Sequence, residues 1–316
     1  MSIPKSFPTF EEIENNSPRY SAWGIWENPQ LGALNYLSDS VVLKTAKQEI
    51  QTGTRVGLNL PLDFVDPPLL GRRGFERHII NKAPRVINDD VITFNTQGSS
   101  QWDSFRHFAY QDEAKFYNNV TQSDIHDDPN SGVNGMEAWS ASGIAGRGVL
   151  IDYYAWARQK GIHYDPLKTH AIRLSEIKEI IKESNIELHR GDIFMLRTGF
   201  VDAYSTLDKS TRESYCSSHA FPGLEQSREV VRWLWEQQFA AVAADSPAFE
   251  SSADPEFGML HPILLSGWGT TIGELFDLRG LSKECERLGR WSFFLASSPL
   301  VYTGVVASPP NIMAIL

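Results

Sequence analysis

The chain has 316 residues, of which 41% are hydrophobic and 22% are charged, which is the composition of a globular protein with a substantial core. Its formal net charge of −10, from 29 basic and 39 acidic residues, argues against nucleic acid and anionic membrane surfaces as partners.

Targeting and redox signals are sparse. The N-terminal residues lack the charged, apolar and small-residue regions of a signal peptide, and no apolar run approaches the length of a membrane span. The two cysteines, Cys216 and Cys285, are too few for a disulfide scaffold and are not spaced as metal ligands. We therefore expect a cytoplasmic protein.

The first fifty residues mix prolines, aromatic side chains and short polar runs. They predict an N-terminal arm or lid over residues 1–50, with a helix over residues 39–52 that has Asp39 or Ser40 as N-cap. Trp23 and Trp26 in this arm are either packing anchors or part of a pocket wall. Residues 51–316 are expected to form one catalytic domain.

The pattern changes to strands after the arm. Residues 55–62 alternate and break at Pro61, and residues 63–74 form a loop rich in proline and glycine. A loose basic patch follows, which is either a solvated face or a surface that attracts an anionic substrate; its members are Arg77, His78, Lys82 and Arg85. The apolar run of residues 91–94 predicts a strand that ends near Phe94.

Directly after this run, residues 96–110 hold an unusual density of polar groups. Helical geometry would separate the pair Gln97 and Gln101 from the pair Asp103 and His107. In an extended or loosely coiled segment the four side chains share one parity and face one side. Three oxygen donors beside an imidazole suit a divalent cation with a protonatable group at its edge. A hydrogen-bonded polar turn around a buried Trp102 fits the same residues.

The second half of the chain alternates strands and helices. Amphipathic helices are predicted over residues 174–184 and 226–238. A turn followed by a buried strand is predicted within residues 145–152 and again within residues 188–199, and another buried strand over residues 239–247. The glycines at 146–148 lack the spacing of a dinucleotide or phosphate loop. With no repeat and no linker, the chain predicts one mixed α/β domain.

Two polar residues stand in apolar sequence near the C-terminus. His261 lies between Leu260 and Pro262, and Glu274 follows thirteen residues later. A charged glutamate among apolar residues is costly to bury unless it is paired or coordinated. Taken singly, His261 fits a hydrogen-bonded histidine of the core, and Glu274 fits a salt-bridge partner.

Together with the residues from Gln97 to His107, this pair resembles the cyclase superfamily, also called the kynurenine formamidase-like family, which includes isatin hydrolase and some dienelactone hydrolases. That family carries His-x-Gly-Thr-His-x-Asp-x-Pro-x-His in its first half, and a His and a Glu about a dozen residues apart in its second. Five further segments match family landmarks in order, namely residues 146–152, 191–199, 221–224, 245–246 and 308–309. The resemblance covers roughly residues 50–316.

The resemblance implies the swivelling β/β/α cyclase-type fold, an α/β fold with a mixed sheet and flanking helices, assembled as a homodimer or homotetramer. It implies that Asp103, His261 and Glu274 are metal ligands and that His107 is the catalytic histidine. Gln97 and Gln101 take the places of two ligand histidines, and Phe105 takes the place of a proline. Because carboxamide oxygens are harder donors than imidazole, we expect Mn²⁺ first and Zn²⁺ second.

The function expected from this resemblance is metal-dependent hydrolysis of a small-molecule substrate. A lactone, lactam, imide or formamide would be opened by a metal-activated water, with His107 as general base. The aromatic residues expected to line the substrate site, or else to belong to the core, are Trp102, Phe105, Phe108 and Tyr110. A metal-dependent cyclase, dehydratase or isomerase of secondary metabolism and a non-catalytic small-molecule binder remain as alternatives.

Overall fold

The computed structural model describes residues 7–253 and 256–316. Thirteen strands are present in these residues: β1 (Arg55–Gly57), β2 (Glu76–Asn81), β3 (Asn88–Thr93), β4 (Gln101–Asp103), β5 (Ile144–Asp152), β6 (His170–Ile172), β7 (Ile193–Arg197), β8 (Pro222–Leu224), β9 (Ala241–Ala244), β10 (Thr271–Glu274), β11 (Ser292–Ser297), β12 (Ala307–Ser308) and β13 (Ile312–Ile315).

The described residues also form ten α-helices: α1 (Phe10–Glu14), α2 (Asp39–Glu49), α3 (Gln122–His126), α4 (Glu137–Ser142), α5 (Tyr153–Gln159), α6 (Leu174–Glu183), α7 (Phe200–Ser205), α8 (Lys209–Tyr215), α9 (Arg228–Gln237) and α10 (Arg279–Leu288). Short 3₁₀ turns cover Gly32–Tyr36, Leu69–Gly71 and Tyr117–Asn119, and a π-helical turn covers Pro262–Trp268. Within the described ranges, none of the helices combines the length and the apolar character that a membrane crossing requires.

Nine strands form one mixed sheet in the order β1-β13-β11-β5-β7-β9-β10-β4-β12. Its central strands β5, β7, β9 and β10 run parallel, and the strands on either side of them pair antiparallel. All five residues of β7 are buried, as expected for a strand covered on both faces. The fold is therefore the mixed α/β fold with flanking helices that the sequence predicts.

Successive residues of the central strands belong to different apolar clusters, which shows that both faces of the sheet are covered. One face carries Phe194 and Val242 and packs against residues of α5, α6 and α9. The other carries Met195 and Ala243 and packs against residues of α4 and α10. The apolar faces of α6 and α9 pack in the first cluster, as their predicted amphipathic patterns require. Both helices begin and end within two residues of the predicted bounds.

The N-terminal segment is an integral layer of this core. Phe10 and Ile13 of α1 are almost fully buried in the first cluster. The indole nitrogens of Trp23 and Trp26 donate to the carbonyls of Ser266 (2.7 Å) and Trp268 (3.3 Å), so these two residues are packing anchors. Residues 1–6 of the predicted arm lie outside the described residues. Helix α2 ends at Glu49 rather than at residue 52. Its N-cap is Ser38, one residue before the predicted Asp39.

Two predicted strands differ from the observed ones. The strand predicted over residues 55–62 ends at Gly57. Beyond it, the backbone nitrogen of Ile312 donates to the side chain of Asn59 instead of to a backbone carbonyl, and the carbonyl of Ile312 accepts from both the Asn59 side chain and the backbone nitrogen of Leu58. Residues 91–93 of the predicted apolar run are the end of β3, which stops one residue before Phe94 and pairs with β2 in a largely exposed hairpin. All four members of the predicted basic patch lie on this hairpin or in its turn and are exposed, namely Arg77, His78, Lys82 and Arg85.

Candidate functional site

The register between β4 and β10 brings the two halves of the predicted site together. Glu274 at the end of β10 pairs directly with Gln101 at the start of β4, so their side chains leave the same face of the sheet. Asp103 lies two residues beyond Gln101 and faces the same side, whereas Trp102 faces the opposite cluster. Residues that are 173 positions apart thus become neighbours.

A chain of hydrogen bonds links the five predicted ligands. The carboxamide nitrogen of Gln97 donates to Oδ1 of Asp103. The carboxamide nitrogen of Gln101 donates to Oε1 of Gln97 at 3.0 Å and to Oε2 of Glu274 at 2.5 Å. Oε1 of Glu274 lies 3.0 Å from Nε2 of His261. All five side chains are buried, so the structure places the predicted ligands in one buried cluster.

His107 joins this cluster from the loop after β4. Its ring lies 6.3 Å from that of His261, measured between centroids. One side-chain N or O atom from each of Asp103, His107 and His261 lies within 4.8 Å of the other two, a spacing at which they could hold one metal ion. The geometry therefore allows His107 two roles, as a ligand and as the predicted general base.

Two oxygen atoms of the cluster, Oε1 of Gln101 and Oδ2 of Asp103, are buried without a hydrogen-bond partner among the residues in the two described ranges. A buried oxygen acceptor without a partner costs about 1–3 kcal/mol. Hard divalent cations bind carboxylate and carbonyl oxygens, and imidazole is a common ligand of Mn²⁺ and Zn²⁺. The donor set therefore fits a divalent cation.

Burial and charge shift the pKa values of the site. Burial raises the pKa of Glu274 to about 7, and the carboxylate of Asp103 adds to this shift. Burial lowers the pKa of His107, which keeps its imidazole neutral at pH 7. For His261 burial acts in the same direction, but Glu250 and Glu274 outweigh it and hold the pKa well above its ordinary value.

Two residues at the site are absent from the sequence predictions. Glu250 is buried and its Oε1 lies 2.8 Å from Nδ1 of His261. Arg72 donates to the backbone carbonyl of Gln97 at 2.5 Å. Its charge opposes the burial that raises the pKa of Glu274 and adds to the burial that lowers the pKa of His107. The available signal for Glu250 was a carboxylate directly after the apolar pair Ala248 and Phe249, the same kind of signal that singled out Glu274.

The four aromatic residues expected at the substrate site fall into two groups. Trp102 donates to Oγ of Ser297 and packs edge-on against Phe276, and Phe105 packs between Tyr117 and Trp139, so both lie in the core. Trp102 lies in the core because side chains alternate along β4, so it points to the opposite face of the sheet from Gln101 and Asp103.

Phe108 and Tyr110 instead border a surface cavity of about 390 Å³. The ring of Phe108 also lies 5.6 Å from that of His261, so this side chain is a neighbour of both the cavity and the cluster. Further apolar lining residues include Phe257, Met259 and Ile263, and the charged lining residues are Arg19, Asp112 and Glu113. A mainly apolar cavity with a few polar groups at its edge is the usual form of a small-molecule site.

Comparisons with known proteins agree with this architecture. The family model named Cyclase matches residues 12–251 of the chain. A solved structure described as a novel cyclase is 30% identical, with a TM-score of 0.79 over 93% of this chain and 99% of that one. The search of curated proteins gave no match.

More distant structures share the fold. Isatin hydrolase A from Ralstonia solanacearum is 15% identical with a TM-score of 0.56, covering 83% of this chain and 91% of its own. Isatin hydrolase A from Labrenzia aggregata, bound to benzyl benzoate, is 17% identical with the same TM-score, covering 89% of this chain and 98% of its own. The family model spans most of the chain and the novel cyclase matches along nearly its whole length, so the chain belongs to the cyclase family.

Proposed function

We propose that the protein is a metal-dependent hydrolase that opens a small or cyclic ester or amide, such as a lactone, lactam, imide or formamide. The observation that carries the proposal is the buried cluster. In it Asp103, His107 and His261 lie close enough to hold one ion, Glu274 contacts His261, and one oxygen each of Gln101 and Asp103 has no hydrogen-bond partner within the described residues. Buried carboxylates and carbonyl oxygens are costly unless they are paired, and a bound cation would pair them. The distant isatin hydrolases, whose name refers to a cyclic amide, give a starting point for the choice of substrates.

Asp103, His261 and Glu274, with the carboxamide oxygens of Gln97 and Gln101, would hold the cation. We expect Mn²⁺ before Zn²⁺, because four of the five ligand groups offer oxygen. When bound, such a cation polarises a substrate carbonyl and lowers the pKa of a water molecule. The negative charges of Asp103 and Glu274 offset much of that acidification, which leaves a need for a protein base.

His107 would supply that base. Its neutral imidazole has a free lone pair at pH 7, and it lies at the edge of the cluster rather than in the hydrogen-bond chain. It would take a proton from the attacking water and return it to the leaving oxygen or nitrogen. Phe108 would hold the apolar body of the substrate between the cavity and the ring of His261.

A metal-free small-molecule binder is the second candidate. The observation in its favour is that the carboxamide nitrogens of Gln97 and Gln101 already donate to the carboxylates of Asp103 and Glu274. Such bonds neutralise part of the repulsion between two buried acids without a cation.

A substrate screen distinguishes the two candidates. The chelated protein is assayed alone, with Mn²⁺ and with Zn²⁺ against isatin and a panel of lactones, lactams, imides and formamides. The hydrolase proposal predicts turnover that requires added metal and disappears on chelation. Ligand binding without turnover, unaffected by metal, would favour the binder. The reverse reaction, ring closure by the same site, is assayed with the corresponding open-chain acids.

The assembly expected from the family resemblance, a homodimer or a homotetramer, is also a proposal. Size-exclusion chromatography with light scattering, which measures the mass of the assembly, tests this proposal. The expected mass is two or four times 35.6 kDa, and a mass of 35.6 kDa would contradict it.

A further inference from the structure

We propose that Glu250 is a positioning residue, which holds His261 with its Nε2 directed at the cation site. This inference rests on the proposed metal-dependent function. Glu250 lies outside the sheet, eleven residues before His261, and is as deeply buried as Glu274. Glu250 makes none of the hydrogen bonds that join Asp103, Gln97, Gln101 and Glu274, and it contacts the cluster through His261.

A single oxygen of Glu250 fixes both the backbone and the ring of His261. Oε1 accepts hydrogen bonds from the backbone nitrogens of Leu260 and His261, each at 3.0 Å. The same oxygen lies 2.8 Å from Nδ1 of the His261 ring. Because the backbone and the ring share one anchor, His261 cannot rotate about its side-chain bonds without losing the bond to Nδ1.

This contact also determines which ring nitrogen is available. A carboxylate oxygen only accepts, so Nδ1 must carry the hydrogen that it donates to Glu250. Nε2 faces Glu274 and the cluster. With the Nδ1 hydrogen held by Glu250, Nε2 is the nitrogen that must give up its proton for the ring to bind a cation, and the lone pair of the neutral ring is then on Nε2. A hydrogen-bonded carboxylate on the far side of a histidine is the usual device that orients a metal ligand and increases its basicity.

The fold holds Glu250 in place through β8. Leu224 of β8 donates to the carbonyl of Phe249 (3.0 Å), and Ser251 donates back to the carbonyl of Leu224 (2.9 Å). Between them, a Cβ added at Gly223 would lie 2.3 Å from the backbone carbon of Glu250. The segment Pro222-Gly223-Leu224 therefore clamps the backbone of Glu250, which gives a physical reason for glycine at this position.

The test compares the wild-type protein with three variants, all in metal-free form. Glu250→Gln keeps an oxygen acceptor of the same shape but removes the charge, and Glu250→Ala removes both. The control is Glu49→Gln, which changes another buried carboxylate whose partners are Arg147, Arg290 and Ser292. Each protein is titrated with Mn²⁺ and with Zn²⁺ by calorimetry, its melting temperature is measured, and the Glu250 variants are crystallised without metal.

We expect Mn²⁺ affinity to fall about tenfold in Glu250→Gln and up to about a hundredfold in Glu250→Ala, with the control unchanged. We also expect the His261 ring to be rotated or spread over several orientations in the Glu250→Ala crystal. A purely structural role would lower the melting temperatures without this graded loss of affinity.

Two results would overturn the inference, and they have different meanings. Wild-type affinity in Glu250→Ala, with an unmoved His261 ring, would show that Glu250 does not position the ligand. Failure of the wild-type protein to bind either metal would remove the proposed function itself and the cation role of Glu250 with it.

Discussion

Gly223→Ala is the most direct probe of how the fold positions the site, because it deletes no polar group. The new Cβ would lie 2.3 Å from the carbon, 2.4 Å from the oxygen and 2.5 Å from the next nitrogen of the Glu250–Ser251 peptide. All three atoms are backbone, so no side chain can rotate to relieve the contact. The peptide or β8 must move by about 1 Å to reach an ordinary contact distance.

A shift of this size has two consequences. Overpacking of a buried segment costs about 1–3 kcal/mol of unfolding free energy. It also exceeds the tolerance of about 0.5 Å within which a binding constellation has to be held, so we expect Mn²⁺ affinity to fall about tenfold through Glu250 and His261.

The assays are urea denaturation and Mn²⁺ calorimetry on Gly223→Ala and on Gly57→Ala. Gly57 is a matched control, since it is also a strand glycine and an added Cβ there meets nothing within 4 Å. Unchanged Mn²⁺ affinity in a destabilised Gly223→Ala protein would refute the reasoning, because it would separate the position of Glu250 from the cation site.

Three further predictions concern separate parts of the molecule. His107→Ala is expected to lower kcat about 10²- to 10⁴-fold while Mn²⁺ still binds in calorimetry; loss of binding would instead make His107 a ligand. Phe108→Ala is expected to raise KM with little change in stability, whereas Trp102→Ala is expected to cost about 3–5 kcal/mol in urea denaturation; equal stability losses would contradict their assignment to cavity and core. Arg228 holds the pKa of Glu14 at about 2, below its ordinary 4.5, so this ion pair stabilises the fold fully above pH 4.5 and loses its effect as the pH falls through 2. Glu14→Gln is therefore expected to cost about 1 kcal/mol at pH 7 and much less at pH 2, and an equal cost at both pH values would contradict the sign.

The sequence carried enough information for most of the site. Glu274 and His261 stand out because a polar residue inside apolar sequence needs a partner, and the resemblance supplied that partner in the Gln97–His107 segment. The parity argument for Gln101 and Asp103 agrees with β4, which is a strand of three residues. The family and the mixed α/β fold are confirmed by the structure and the comparisons.

What the sequence did not reveal depends on tertiary contacts. No local sequence pattern connects Glu250 with β8. The two are joined by a β-bridge between Leu224 and Glu250, which are 26 positions apart. The run Val91 to Thr93 is apolar enough for a buried strand, yet its pairing with β2 places it on a two-stranded hairpin. Likewise, the sequence does not distinguish Phe105 from Phe108. Only the tertiary packing shows that Phe105 lies in the core and that Phe108 lies beside His261.

The central claim is that the buried cluster binds a divalent cation, and elemental analysis tests it most directly. The purified protein is measured as isolated, after chelation, and after readdition of Mn²⁺ or Zn²⁺, beside Gln101→Ala, Glu274→Ala and the control Glu49→Gln. We predict near-stoichiometric metal in the wild-type and control proteins, preferentially Mn²⁺, and its loss in the two cluster variants. Wild-type protein without metal under every condition would contradict the hydrolase proposal and leave a small-molecule binder on the cyclase fold.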